Sequence, residues 1–115
     1  MIATSTKYWK AFLDSRNLNH KKARDNMKIY DNEKIVINQI VISEIVNWLH
    51  ENKKIKIKEW FLDYIHNTAN VRVFNLGKEE LKEISKICIE KKMNFSEGCL
   101  EYLHTKLNCD ITKEF

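Results

Sequence analysis

Ile35-Val36-Ile37-Asn38-Gln39-Ile40-Val41-Ile42-Ser43-Glu44-Ile45-Val46-Asn47-Trp48-Leu49 passes from a short β-branched run into a segment with helical spacing of its apolar residues. Such a change of period marks a strand that feeds a helix. The same order recurs on either side. Ile2-Ala3-Thr4 and Val71-Arg72-Val73-Phe74 are β-prone runs that each precede helical segments, and Ile111-Thr112 supplies one more candidate strand. Helical patterning covers roughly Tyr8 to Leu13, Asn19 to Tyr30, Gln39 to Glu51, Lys56 to Asn67, Lys78 to Lys92 and Phe95 to Leu107. Strands separated by helices predict a mostly parallel sheet, and right-handed crossovers place helices on both of its faces when the strand order reverses. The expected fold class is therefore α/β, a three-layer α/β/α sandwich with its ligand crevice at the carboxyl ends of the strands.

The chain of 115 residues suits one domain spanning 1–115, long enough to bury a core and too short for two. With 43% hydrophobic and 31% charged residues, two glycines and no proline, it reads as globular rather than disordered or fibrous. It contains no repeat, low-complexity tract or Gly/Ser/Pro linker. No apolar run is long enough for a membrane span, and Met1-Ile2-Ala3-Thr4-Ser5 lacks the pattern of a signal peptide, so a cytoplasmic location is expected. Cys88, Cys99 and Cys109 show no Cys-x-x-Cys spacing and read as small core residues rather than a disulfide framework or zinc site. The net charge of +4 is compatible with a polyanionic partner but does not select one.

Glu44 is the most informative single residue. On a helix it shares a stripe with Val41 and Trp48, where an unpaired charge is costly. A bound cation, an Arg or Lys partner, or a helix turned to leave Glu44 at a cleft edge would each offset that cost. Glu97, in Asn94-Phe95-Ser96-Glu97-Gly98, has two readings. With Asn94 it has the spacing of a capping box; it could also face Glu44 across the mouth of the sheet and share a divalent cation. Glu101 and His104 continue its helical stripe, which is the pattern of a solvated face.

Other features carry less. Lys53, Lys54, Lys56 and Lys58 form one basic run, and Lys21, Lys22 and Arg24 another; either could hold phosphates or be solvated. Trp9, Trp48 and Trp60 stand beside aliphatic residues, favouring packing over base stacking. The histidines show no HxxxH or HExxH spacing, no glycine loop resembles a phosphate cradle, and no Ser or Cys has an identifiable base.

Taken in order, these segments resemble the PIN-domain family, the fold of VapC-like toxin ribonucleases. Tyr8-Trp9-Lys10-Ala11-Phe12-Leu13-Asp14 followed by Asn19-His20-Lys21-Lys22-Ala23 resembles the family's first helix and following turn. Ile35-Val36-Ile37 with Ser43-Glu44-Ile45-Val46-Asn47-Trp48-Leu49 resembles its second strand and glutamate-bearing helix. Val71 to Leu76 is similar to its next strand, and Asn94-Phe95-Ser96-Glu97-Gly98 to its Ser-x-x-Asp-Ala helix start.

The resemblance implies a ribonuclease that uses about four acidic residues to hold magnesium or manganese and activate water. Glu44 matches the family glutamate, and Glu97 stands at an aspartate position. At the first acidic position the chain has Ser5 if the match is anchored on Tyr8-Trp9, or Ala3 if it is anchored on Thr4-Ser5, and neither is a carboxylate. At the fourth, Glu114 fits a Thr-x-acid pattern, whereas anchoring on Phe115 leaves Thr112. Losing a central aspartate removes a ligand and a charge, so metal affinity should fall.

Two functional expectations follow. One is a weakened Mg- or Mn-dependent endoribonuclease of the VapC toxin class, in which Glu44 and Glu97 anchor an ion and Glu114 or Glu101 assists. The other is a catalytically inactive PIN-like module that binds RNA or a protein partner. Lys53, Lys54 and Lys56 are the candidate RNA contacts, and the resemblance further implies a homodimer and a small antitoxin lying across the site.

Overall fold

The computed structural model describes residues 1–112. Its elements are β1 (Ile2–Ala3), α1 (Thr6–Leu13), α2 (His20–Tyr30), β2 (Ile35–Asn38), α3 (Gln39–Glu51), α4 (Ile55–Asn67), β3 (Val71–Phe74), α5 (Lys78–Lys91), α6 (Phe95–Leu107) and β4 (Asp110–Ile111). The strands form one parallel sheet in the order β3-β2-β1-β4. The chain steps from β1 to β2 to β3 in one direction and then returns past β1 to place β4 on its far side. This reversal puts the helices between β1 and β3 on one face and α5 and α6 on the other. The expected α/β sandwich with a parallel sheet is the architecture observed.

The side chains of β2 alternate between the two faces, as the strand period requires. Ile35 and Ile37 join Trp9, Val41, Ile45, Leu49 and Phe61 in the larger core under α1 to α4, whereas Val36 joins Ala3, Leu103 and Cys109 beneath α6. In α3 the fully buried stripe is Val41, Ile45 and Leu49, one residue per turn. Trp9 is 0% exposed and packs edge-on against Phe61 at 5.2 Å. Its indole N–H donates to Thr4 Oγ1 at 2.8 Å, and Thr4 Oγ1 in turn donates to the Val36 carbonyl at 3.0 Å. This chain of bonds satisfies the buried polar atoms and ties the end of β1 to both α1 and β2.

Element boundaries differ from the sequence expectation by a residue or two, as they do wherever helices begin in capping residues. α1 begins at Thr6 rather than Tyr8 because the Ser5 side chain accepts from the Tyr8 N–H and caps it. Asn38 caps α3 from the last position of β2, so strand and helix join without a loop. Lys92, expected inside the fifth helix, is its left-handed C-cap at φ 54°. All three cysteines are free; Cys99 and Cys109 are buried, in keeping with small core residues, whereas Cys88 is half-buried. No helix among the described residues is long and apolar enough to cross a membrane.

Candidate functional site

The start of α1 follows β1, α3 grows out of β2, and α6 runs back toward β4, so the N-termini of all three helices gather at the carboxyl edge of the sheet. Between them lies an open cleft of about 460 Å³. Ser5, Thr6, Lys7 and Lys10 line it from the α1 side, Glu44 from α3, and Asn94 and Glu97 from the start of α6. Ser5, Glu44 and Glu97, far apart in sequence, thus share one cavity at the point where the strand order reverses, the usual ligand position in open parallel sheets.

Ser5 is half-buried and fully engaged. Its Oγ accepts from the Tyr8 N–H at 3.1 Å and from the Thr112 hydroxyl at 3.2 Å, which occupies both lone pairs of the oxygen. Thr112 Oγ1 also accepts from the Ser5 N–H at 3.2 Å. The two residues therefore lock the ends of the adjacent strands β1 and β4 together. Ala3, the other candidate for the first acidic position, is a 0% exposed core residue of β1.

Glu44 does not point along the apolar surface that its stripe with Val41 and Trp48 suggests. It is exposed at the rim of the cleft, because α3 is rotated to bury Ile45 rather than the side bearing Glu44. Of the ways to offset its charge, the cleft-edge placement is the one found. Its Oε1 accepts from Thr6 Oγ1 at 3.0 Å. One helical turn further along, Lys10 Nζ lies 5.6 Å from the centroid of the Trp48 ring, a cation–π contact.

Glu97 makes the capping bonds and also reaches the cleft. The capping box is complete: Asn94 Oδ1 accepts from the Glu97 N–H at 2.9 Å, and Glu97 Oε1 accepts from the Asn94 N–H at 3.2 Å. The same carboxylate lines the cleft opposite Glu44. Glu101 departs from its expected assisting role, because it is drawn away to Lys91 of α5 at 2.8 Å and does not line the cleft. His104 bonds the Cys109 carbonyl through Nδ1 at 2.8 Å, near Ile2 and Tyr30 at another cavity. Lys53 and Lys54 are exposed on the α3–α4 connection and Lys56 in the first turn of α4, and none lines the cleft. Glu114 lies outside the described residues.

The cleft lysines escaped the sequence reading. Tyr8, Trp9 and Ala11 are the buried face of α1, which turns Lys7 and Lys10 outward just after a strand end. That pairing of position and face is the signal that would have found them.

Among the described residues, the donors at the cleft do not by themselves fit a resident magnesium or manganese ion. A magnesium site can be built from one or two carboxylates, so their number alone is not decisive. Charge weighs against it: Ser5 Oγ has both lone pairs engaged and adds no ligand, and Lys7 and Lys10 line the same cavity as Glu44 and Glu97. Among the described residues, no group of three or more His, Cys, Asp or Glu side chains could hold a metal ion.

No family model and no curated protein sequence matches the chain. In structure, it is similar to the Mycobacterium tuberculosis toxin VapC20, described as a sarcin–ricin loop cleaving toxin. The TM-score is 0.80 at 14% sequence identity, over 95% of this chain and 85% of that one. This likeness concerns the fold: the chain has a PIN-like α/β architecture.

Proposed function

We propose that this protein is a PIN-like RNA-binding module whose cleft holds phosphates through lysines and helix N-termini and does not cut them. The observation that carries the reading is the lining of the cleft. Ser5, one of two positions that the resemblance sets against the first acid, has its oxygen engaged by Tyr8 and Thr112, and Lys7 and Lys10 line the same wall. The N-termini of α1 and α6, capped by Ser5 and Asn94, add positive dipole ends, which favour anions. The net charge of +4 supports attraction to a polyanion. RNA is the polyanion favoured because the structural relative is a toxin described as cleaving the sarcin–ricin loop.

A second reading, metal-dependent hydrolysis of RNA phosphodiesters with magnesium or manganese, is favoured by one fact: Glu44 and Glu97 line a single cleft. One experiment separates the two. Labelled single-stranded RNA is titrated with the purified protein in EDTA, and the same RNA pool is incubated with magnesium or manganese beside the Glu44→Gln variant. Binding that persists in EDTA without cleavage supports the binding module. Cleavage that disappears with both chelation and Glu44→Gln overturns it in favour of the nuclease.

A further inference from the structure

A second cavity lies farther along the seam between α1 and α3. The two helices meet in matching steps of one turn, Thr6 with Glu44 and then Lys10 with Trp48. The next step brings Asp14 and Asn52, the C-caps of the two helices, to a pocket of about 200 Å³ that Trp48 also lines, with Arg16 and Lys54 at its wall. Lys10 lines the cleft and Trp48 the pocket, so their cation–π contact stands between the two spaces. Four helical residues, a rise of about 6 Å, separate successive rungs of this seam.

We infer that this pocket is a nucleobase subsite: it takes one base of the RNA strand whose phosphate is held at the cleft, stacked against Trp48. The inference rests on the RNA-binding reading above. Three observations select a base over other occupants. The pocket is smaller than the 300 Å³ or so at which sites for larger ligands begin, which suits a single flat group. It offers a half-buried indole, the ring with the strongest stacking surface. It also sits at two helix C-termini, whose dipole ends disfavour a phosphate. The Trp48, Leu49 and His50 carbonyls of α3 already accept from Asn52, Lys54 and Lys53, so a base is held there by stacking and not by those acceptors. The Arg16 guanidinium is held by Asp14, Nε to Oδ1 at 3.5 Å, which leaves its charge partly neutralised rather than presented as a phosphate clamp.

The test compares two single-stranded ligands of equal length and charge, an RNA oligomer and its abasic counterpart, for wild type, Trp48→Leu, Trp48→Phe and Trp60→Leu. Trp60, 46% exposed and stacked on Tyr64, is the competing platform. Trp48→Leu keeps an apolar group against the core, and Trp48→Phe keeps a ring, so a loss seen in the first and spared in the second is not a folding defect. The expected result is that wild type binds the base-bearing strand about tenfold more tightly than the abasic one. Trp48→Leu should abolish that preference, while Trp48→Phe and Trp60→Leu should largely keep it. RNA binding with no preference for bases, or a preference that depends on Trp60 instead, overturns the subsite and leaves phosphate binding at the cleft intact. Absence of RNA binding by wild type overturns both.

Discussion

Thr6 Oγ1 donates to Glu44 Oε1 across 3.0 Å and so joins the first turn of α1 to α3 at the rim of the cleft. The carboxylate is thereby held as a hydrogen-bond acceptor in a cavity that also carries Lys7 and Lys10. Its negative charge opposes an RNA phosphate, and removing the charge leaves an amide oxygen that can still accept from Thr6.

Glu44→Gln should therefore leave stability within about 0.5 kcal/mol of wild type, as expected of an exposed side chain. It should tighten RNA binding by up to about fivefold at low salt, the scale of one exposed charge interaction. Fluorescence anisotropy in EDTA reads the affinity. Weaker binding by this variant would contradict the assignment of the cleft to phosphate.

The lysines act in the opposite sense. Lys7→Ala combined with Lys10→Ala should weaken binding at every salt concentration. It should also flatten the dependence of log affinity on log salt by about 0.7 for each phosphate that is no longer neutralised. Lys53→Ala with Lys56→Ala should change that slope less, because those residues line neither the cleft nor the neighbouring pocket. Equal effects from the two sets would remove the case for a cleft-centred site.

Glu97 has a structural duty that can be separated from its charge. Asn94→Ala removes the side chain that caps α6 and should cost about 1 kcal/mol in urea denaturation. Glu97→Gln keeps an oxygen for the Asn94 N–H and should cost much less. A Glu97→Gln variant as unstable as Asn94→Ala would show that the charge, not the capping geometry, stabilises this end of the helix.

Gly98 lies where α6 approaches α5 closely. A Cβ there would lie 2.5 Å from Cys88 Sγ and 3.4 Å from Ile84 Cγ2. Gly98→Ala should destabilise the fold by about 1–3 kcal/mol, the range for overpacking a well-filled interface. Cys88→Ala removes the clashing sulfur and should recover much of that loss. A full penalty in the double variant would place the clash elsewhere.

The Cys99 thiol is pushed up from 9.0 to about 11 by burial, with neighbouring Cys88 adding to the effect. A folded value above the unfolded one means that folding favours the protonated thiol. The associated stability is full below pH 9 and declines as pH rises toward 11. At pH 8 Cys99 should resist alkylation until the protein unfolds, and Cys99→Ala should reduce the fall in stability between pH 9 and pH 11. Rapid native-state labelling of Cys99 would show that the thiol is open to solvent.

The βα alternation was legible because it is written in local periodicity. Ile35-Val36-Ile37 fits only a strand covered on both faces, and the four-residue spacing of Val41, Ile45 and Leu49 fits only a helix with one buried side. The capping box of Asn94 and Glu97 was legible for the same reason, since both partners lie within one turn. Tertiary packing decided the rest. A helical wheel could not say whether Glu44 faced the core or the rim, because that depends on how α1 rotates α3 about its axis. Nor could it give Glu101 to Lys91, which is set by the packing of α5 on α6. By itself the sequence determined the order and type of the elements and the resemblance to a PIN-like fold. Only the tertiary structure decided that Ser5, Lys10, Glu44 and Glu97 share a cleft while Lys53, Lys54 and Lys56 stand outside it. A shared site is a relation between strand ends and helix starts distant in the chain, fixed by sheet order and helix rotation rather than by any local spacing.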